Sequence, residues 1–236
     1  NEPGVRKFKE LLYVIVSELN LEILKNENNY VGSLPINVTK DMIETKYLSD
    51  RHPRRILEIP EISTIGQICG LWANSLGMGG ILHIQGTIFY SSNMFELKLT
   101  GMQGDVMKES MNVSKTIAFN MTNEEVLKKM TNKKINKGIH IHCPEGAVPK
   151  DGPSAGAAIT TVIYSLLNNL KIKRDHAITG EINLSGKITA IGGLQYKILG
   201  GLDGRVKTFM YPKENQRDFD EVVDKFPYIL NKATFI

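Results

Sequence analysis

Residues 143–167 read CPEGAVPKDGPSAGAAITTVIYSLL. An irregular Pro- and Gly-rich half runs straight into an apolar run of small and branched residues, the pattern of a loop that opens a buried helix. Asp151, Gly152, Pro153 and Ser154 sit at the junction. Asp151 is placed to cap the helix, Gly152 lets the backbone bend sharply, and Pro153 has the φ of a first helical turn. Ser154 then falls among unpaired backbone N–H groups at the positive end of the helix dipole, where an oxyanion is stabilised. Ala155, Gly156, Ala157 and Ala158 keep that end slim enough for a substrate backbone. A plain helix start and a nucleophilic serine both fit these residues.

The rest of the chain is organised around that junction. The 236 residues suffice for one good core and a smaller second unit. Val5, Phe8, Leu12, Ile15 and Leu19 recur at three- and four-residue spacing, predicting a helix over 4–25. INVTKDMIETKYL (36–48) predicts a short strand and a second helix with Thr39 as N-cap. The charged stretch 49–55 predicts the linker, dividing the chain into units 1–50 and 51–236. Beyond it, GGILHIQGTIFY and FELKLTG read as strands joined by the polar turn SSNM. Residues 104–121 and 122–135 read as helices, the second with Thr122 and Glu125 as a capping box. KGIHIH is a strand, HAITGEINLSGKITAIGG two strands about a Ser-Gly turn, and LQYKILGGLDGRV a helix stopped by its glycines. A strand, a helix and a last strand follow over 207–236. Strands and helices mix without strict alternation, which predicts an α+β unit with a mixed sheet and flanking helices.

Composition excludes several classes. The formal charge of +4 is scattered and leaves no basic footprint for nucleic acid. No apolar run reaches the ~18 residues of a membrane span. Two cysteines, Cys69 and Cys143, make no disulfide framework and fit a reducing intracellular setting. The beginning at Asn1 without methionine and the end at NKATFI read as cuts from a longer chain.

A nucleophilic serine needs a base. His140 and His142 alternate with Ile139 and Ile141, so both histidines share one strand face; no third ligand with metal spacing follows them. Lys197 is flanked by Ile198 and Leu199, with Leu194 one turn earlier. A lysine titrating near 10.4 is no base at pH 7, burial lowers that value, and a solvated helix lysine fits the same residues.

Taken together, PEGAVPKDGPSAG, TGEINLSGKITAIGGLQYKILGG and PKENQRDF resemble, in order and spacing, the proteolytic domain of Lon, the ATP-dependent AAA+ protease family. GDVMKES and GQICGLWANSLGMGG are similar to its upstream protease segments, and NEPGVRKFKELL to the last helix of its AAA+ small, or lid, domain. The resemblance covers essentially the whole chain. It implies a Lon-type proteolytic domain after a short helical lid remnant, and a serine endopeptidase with Ser154 as nucleophile and Lys197 as general base. It further implies that Thr179 hydrogen-bonds the lysine, that the histidine face borders the site with His142 nearer the dyad, and that Arg6 senses nucleotide in the intact protein. Cys143 stands where the family has valine, and Val148 where many members have threonine; Cys143 is then a buried, unreactive core residue.

Partners and location are implied in the same way. They are unfolded, misfolded or regulatory polypeptides as substrates, a hexameric ring, no membrane, DNA contact only in the full-length protein, and the bacterial cytoplasm or mitochondrial matrix. No Gly-x-x-x-x-Gly-Lys-Ser/Thr phosphate loop occurs in the chain. The expectation is therefore no cofactor and no metal for these residues, ATP and Mg for the full-length enzyme, and cleavage of unstructured peptides without ATP. A Lon-fold module of a DNA-repair or motor-type protein that has lost catalysis is the alternative; retention of both Ser154 and Lys197 speaks against it.

Overall fold

Helix α1 (Arg6–Leu24) follows the predicted apolar spacing, yet only its C-terminal part is covered: Ile15 and Leu19 are half-buried and Glu22 is buried, while Phe8 and Leu12 stay exposed. Glu22 accepts from Lys46 Nζ at 2.7 Å. Helix α2 (Lys40–Met42) starts under the Thr39 cap, whose Oγ1 accepts from Met42 N at 3.3 Å, and runs on into a π turn, Ile43–Tyr47. Residues 36–38 form no strand, so the strand expected there is corrected to irregular chain. This computed structural model describes residues 5–25, 35–50, 56–131, 136–144 and 151–236, and its contacts divide the chain into the units 1–55 and 56–236.

The second unit opens with β1 (Thr64–Ile65), β2 (Gln67–Ala73), β3 (Gly79–Tyr90) and β4 (Leu97–Thr100), then α3 (Asp105–Met121), α4 (Glu124–Thr131) and β5 (Lys137–His142). A 3₁₀ turn, Pro153–Ala155, leads into α5 (Gly156–Asn168). After it come β6 (Lys171–Ile172), β7 (His176–Ile178), β8 (Glu181–Ile182), β9 (Ile188–Thr189), α6 (Leu194–Asp203), β10 (Thr208–Met210), α7 (Gln216–Lys225) and β11 (Thr234–Phe235). Seven strands form one mixed sheet in the order β11-β10-β7-β2-β3-β5-β4; β1 pairs with β6 and β8 with β9 outside it.

Alternation along the strands separates two cores. Ile68, Leu82, Ile84, Ile139, Ile141 and Cys143 face α3 and α5, meeting Met107, Met111, Ile159, Val162 and Ile163. Cys69, Leu71, Ile81, Ala177 and Phe209 face the other way, onto Leu194 and Ile198 of α6 and Phe219 and Val222 of α7. The mixed-sheet expectation holds, and the sheet is covered by helices on both faces.

The packing corrects one local expectation, the cap of α4, and adds detail to two others. β3 and β4 are joined by a turn as expected yet do not pair with each other: β5 inserts between them, antiparallel to β3 (Gln85↔His142) and parallel to β4 (Leu97↔Ile139). Thr122 does not cap α4; its hydroxyl bonds back to Ala118 O, and Asn123 Oδ1 accepts from Glu125 N at 2.8 Å instead. A glycine ends α6 as expected, Gly204 at its C-cap, while the helix passes through Gly200 and Gly201. A Cβ at Gly200 would run into the Gly79 backbone, and one at Gly201 into the Phe209 ring, so these glycines let the helix lie against the sheet.

Candidate active site

The serine turn is built from backbone constraints. Gly152 has φ +124° and ψ 149°, a region closed to other residues even though nothing crowds its Cβ position. Pro153 follows, and Ser154 is half-buried in the 3₁₀ turn before α5. Ser154 N–H takes no partner among the described residues.

Asp151 does not cap this helix. Its Oδ1 accepts from Met107 N at 2.9 Å and from Gly152 N at 3.0 Å, so it caps α3 across space and ties that helix to the serine turn. Gly104, the backbone N-cap of α3, leaves room for the carboxylate: a Cβ there would collide with Asp151 Cγ. α3 holds the turn in two more places. Ser110 Oγ donates to Pro153 O at 3.4 Å, and the buried Ser114 Oγ to Gly156 O at 3.0 Å. Sequence reasoning missed both serines, although hydroxyls four residues apart on the buried face of an amphipathic helix are a readable signal. Asp151→Ala should lower stability by about 1 kcal/mol in thermal melts, and Asp151→Asn, which keeps the acceptor, by less than half of that.

From the other side the turn is clasped by Thr179 and Gly180. Ser154 O accepts from Gly180 N at 2.8 Å and from Thr179 Oγ1 at 3.3 Å, and Ala157 N donates to Gly180 O at 3.0 Å. Thr179 Oγ1 in turn accepts from Lys197 Nζ at 3.2 Å. A continuous chain of hydrogen bonds therefore links the lysine amine, through one hydroxyl, to the peptide of Ser154.

Lys197 is 3% exposed, and burial alone pulls its amine from 10.5 down to about 8. It enters from α6 on one face of the sheet, while Ser154 enters from α5 on the other. Each reaches Thr179, just past the end of β7, the lysine by its amine and the serine by its carbonyl.

The histidines lie on the sheet face away from α3 and α5. Ile139, Ile141 and Cys143 occupy the face under α3 and α5, so His140 and His142 point to the opposite one. Thr179 follows Ile178, which pairs with Gly70, and the next residue, Leu71, pairs with Ile81. His142 pairs with Gln85, four residues or about 13 Å further along β3. Both rings are within 2.8 Å of Thr100 Oγ1, and no bond joins either to Ser154 or Lys197 among the described residues. Burial, Lys98 and His142 hold His140 below the usual histidine value. Cys143 is fully buried among apolar side chains, where sequence placed it. Burial pushes the other thiol, Cys69, up to about 12.

Among the described residues no three His, Cys, Asp or Glu side chains gather into a metal site, and no helix is long and apolar enough to cross a membrane. Arg6 is exposed on α1, 3.3 Å from Glu10.

Comparison with known proteins places this geometry in a family. The family described as the Lon protease C-terminal proteolytic domain matches residues 37–234. The chain is 37% identical over 224 residues to a Lon protease of Finegoldia magna, covering 95% of this chain and 27% of that protein. It is 40% identical over 196 residues to a Lon protease homolog of Acanthamoeba polyphaga mimivirus, covering 80% and 19%. It is 38% identical over 197 residues to the chloroplastic/mitochondrial Lon protease homolog 4 of Arabidopsis thaliana, covering 81% and 20%. It thus spans about a quarter or less of the length of these relatives. With the family's proteolytic segment matched over nearly all of both the mixed sheet and its flanking helices, the chain belongs to the Lon protease family.

Proposed function

We propose that this chain is a serine endopeptidase unit in which Ser154 is the nucleophile and Lys197 the general base. The observation that carries the reading is the buried Lys197 amine, hydrogen-bonded to the same Thr179 hydroxyl that donates to the Ser154 carbonyl. Thr179 Oγ1 receives one N–H of the amine and so leaves the lone pair of the neutral form to turn toward the serine side chain.

In the reaction, Ser154 Oγ attacks the scissile carbonyl as its proton passes to Lys197 Nζ. The Ser154 N–H lies in the turn that faces the developing oxyanion. Collapse breaks the C–N bond, and the lysine ammonium protonates the leaving amine. Water then attacks the acyl-enzyme, giving one proton to Lys197, which returns it to Ser154 Oγ as the acid product leaves. Gly156, Ala157 and Ala158 are buried, with Gly156 against Ser110 and Ile182 and Ala158 in the core under the sheet, so the slim start of α5 serves packing and the expectation that it leaves room for a substrate backbone is corrected.

The titration of Lys197 makes this testable. With a value of about 8, roughly one-tenth of the amine is neutral at pH 7 and half at pH 8. The kcat/KM for an unstructured peptide should climb through that range and level off above it. A flat profile between about pH 6 and 10 would remove Lys197 as the base.

ATP-driven degradation of folded, misfolded or regulatory proteins, a hexameric ring, DNA contact, nucleotide sensing by Arg6, and a bacterial or organellar location belong to this proposal for the full-length protein. These 236 residues contain no Gly-x-x-x-x-Gly-Lys-Ser/Thr phosphate loop, and no step above runs through ATP or Mg.

A further inference from the structure

Lys197 reaches Thr179 only if α6 begins at the right place, yet that helix has no cap of its own. Its N-cap, Gly193, sits at φ +70° and makes no side-chain cap hydrogen bond. The four residues before it, Ala190–Gly193, are irregular chain between β9 and α6. Their backbone groups are gripped from outside, by two consecutive side chains of the PKENQRDF stretch. Glu214 Oε2 accepts from Ala190 N at 3.0 Å and Oε1 pairs with Lys187 at 2.7 Å. Asn215 Oδ1 accepts from Ile191 N, and its Nδ2 donates to Ile191 O, each at 2.9 Å.

Asn215 is 2% exposed, and its Nδ2 also donates to Asp218 Oδ2. An amide that bonds both backbone groups of one residue replaces a strand partner, and burial makes the loss of any of these bonds expensive. The same segment holds the lysine's acceptor: Thr179 N donates to Met210 O at 3.0 Å, five residues before Asn215.

We infer that Asn215 is a positioning residue for Lys197: the strut 210–215 sets both the start of the lysine helix and the place of Thr179, and so fixes the Lys197–Thr179 contact. This rests on the proposed role of Lys197 for its catalytic consequence, though not for its geometry. Loss of the strut lets α6 shift at its first turn and admits water to the amine. Burial is the only cause that lowers Lys197, so the amine then titrates higher and moves away from the serine.

The test compares wild type with Asn215→Ala, Asn215→Asp and Ser165→Ala in the 236-residue chain. Ser165 is equally buried, 2% exposed, and its hydroxyl bonds Gly66 N and Leu170 O at the far end of α5. Two readouts are taken: the kcat/KM pH profile on an unstructured peptide, and the ¹³Cε chemical shift of Lys197 across pH. Asn215→Ala should lower kcat about tenfold or more with KM within about twofold, and both the activity limb and the Lys197 titration should move up by half a unit or more.

Ser165→Ala should lose stability while both stay at about 8. Should Asn215→Ala not accumulate as folded protein, Asn215→Asp carries the test, since it keeps the Oδ1 acceptor for Ile191 N and loses the donor. An Asn215 variant that melts earlier but keeps the wild-type limb and titration overturns the inference. A shifted titration in a chain whose wild type cleaves nothing leaves the positioning role standing and sinks the proposed function instead.

Discussion

Lys197→Met is expected to make the protein more stable and inactive at once. The amine titrates at about 8 in the folded chain against 10.5 when unfolded, because burial disfavours the ammonium and no acid among the described residues compensates it. At ~1.4 kcal/mol per unit the buried charge costs roughly 3 kcal/mol below pH 8. Between about 8 and 10.5 the unfolded chain binds more protons than the folded one, so stability rises with pH and the penalty disappears. Methionine keeps a similar unbranched stem without the charge. Chemical denaturation at pH 7 should therefore show a gain of up to about 3 kcal/mol, shrinking to nothing near pH 10.5.

Peptide cleavage should meanwhile fall by about 10²–10⁴-fold. Lys197→Arg should be equally inactive for a different reason. Its guanidinium stays protonated, and it should also destabilise the fold, since the charge remains buried without a partner. Unchanged cleavage by either variant would end the assignment of the base. A Lys197→Met protein less stable than wild type at pH 7 would show that the lysine is held by interactions other than the Thr179 bond.

Ser154→Ala should behave in the opposite way, losing catalysis and little else. The turn is held by Gly152, by the Ser154 carbonyl, by Asp151 and by the α3 serines, none of which involves the Ser154 hydroxyl. Its melting should lie within about 0.5 kcal/mol of wild type. Peptide cleavage should drop on the order of 10⁴-fold or more. A peptide boronate, which bonds to a nucleophilic oxygen and imitates the tetrahedral intermediate, should bind wild type and fail on the variant. Equal boronate affinity for the Ser154→Ala protein would point to a different nucleophile.

Much of this site is legible along the chain because its geometry is local. Gly152 before Pro153 and Ser154 announces a sharp turn into a helix, since only glycine takes that φ and proline opens a first turn. The Ile-x-Ile alternation of β5 puts His140 and His142 on one face and Cys143 on the other, as period two requires. Ser154 and Lys197 stand out only by resemblance to a known family, since their own neighbours leave a capped helix and a solvated lysine equally open.

What stayed hidden depends on residues far apart in the chain. Asp151 sits where a cap for its own helix belongs, but the unpaired N–H of Met107, 44 residues earlier, comes closer in space and takes its carboxylate. Asn215 reads as an ordinary polar residue before a helix until Ile191 is folded against it. His142 looks adjacent to the serine loop by number, yet the register with Gln85 sets it four residues along β3 from the level of Thr179. Local pattern thus establishes turns and faces, because φ preferences and periodicity act within a few residues. The depressed amine of Lys197, the hydroxyl it bonds and the struts that hold it are decided by tertiary structure, because desolvation and hydrogen-bond partnership depend on what the rest of the chain brings alongside.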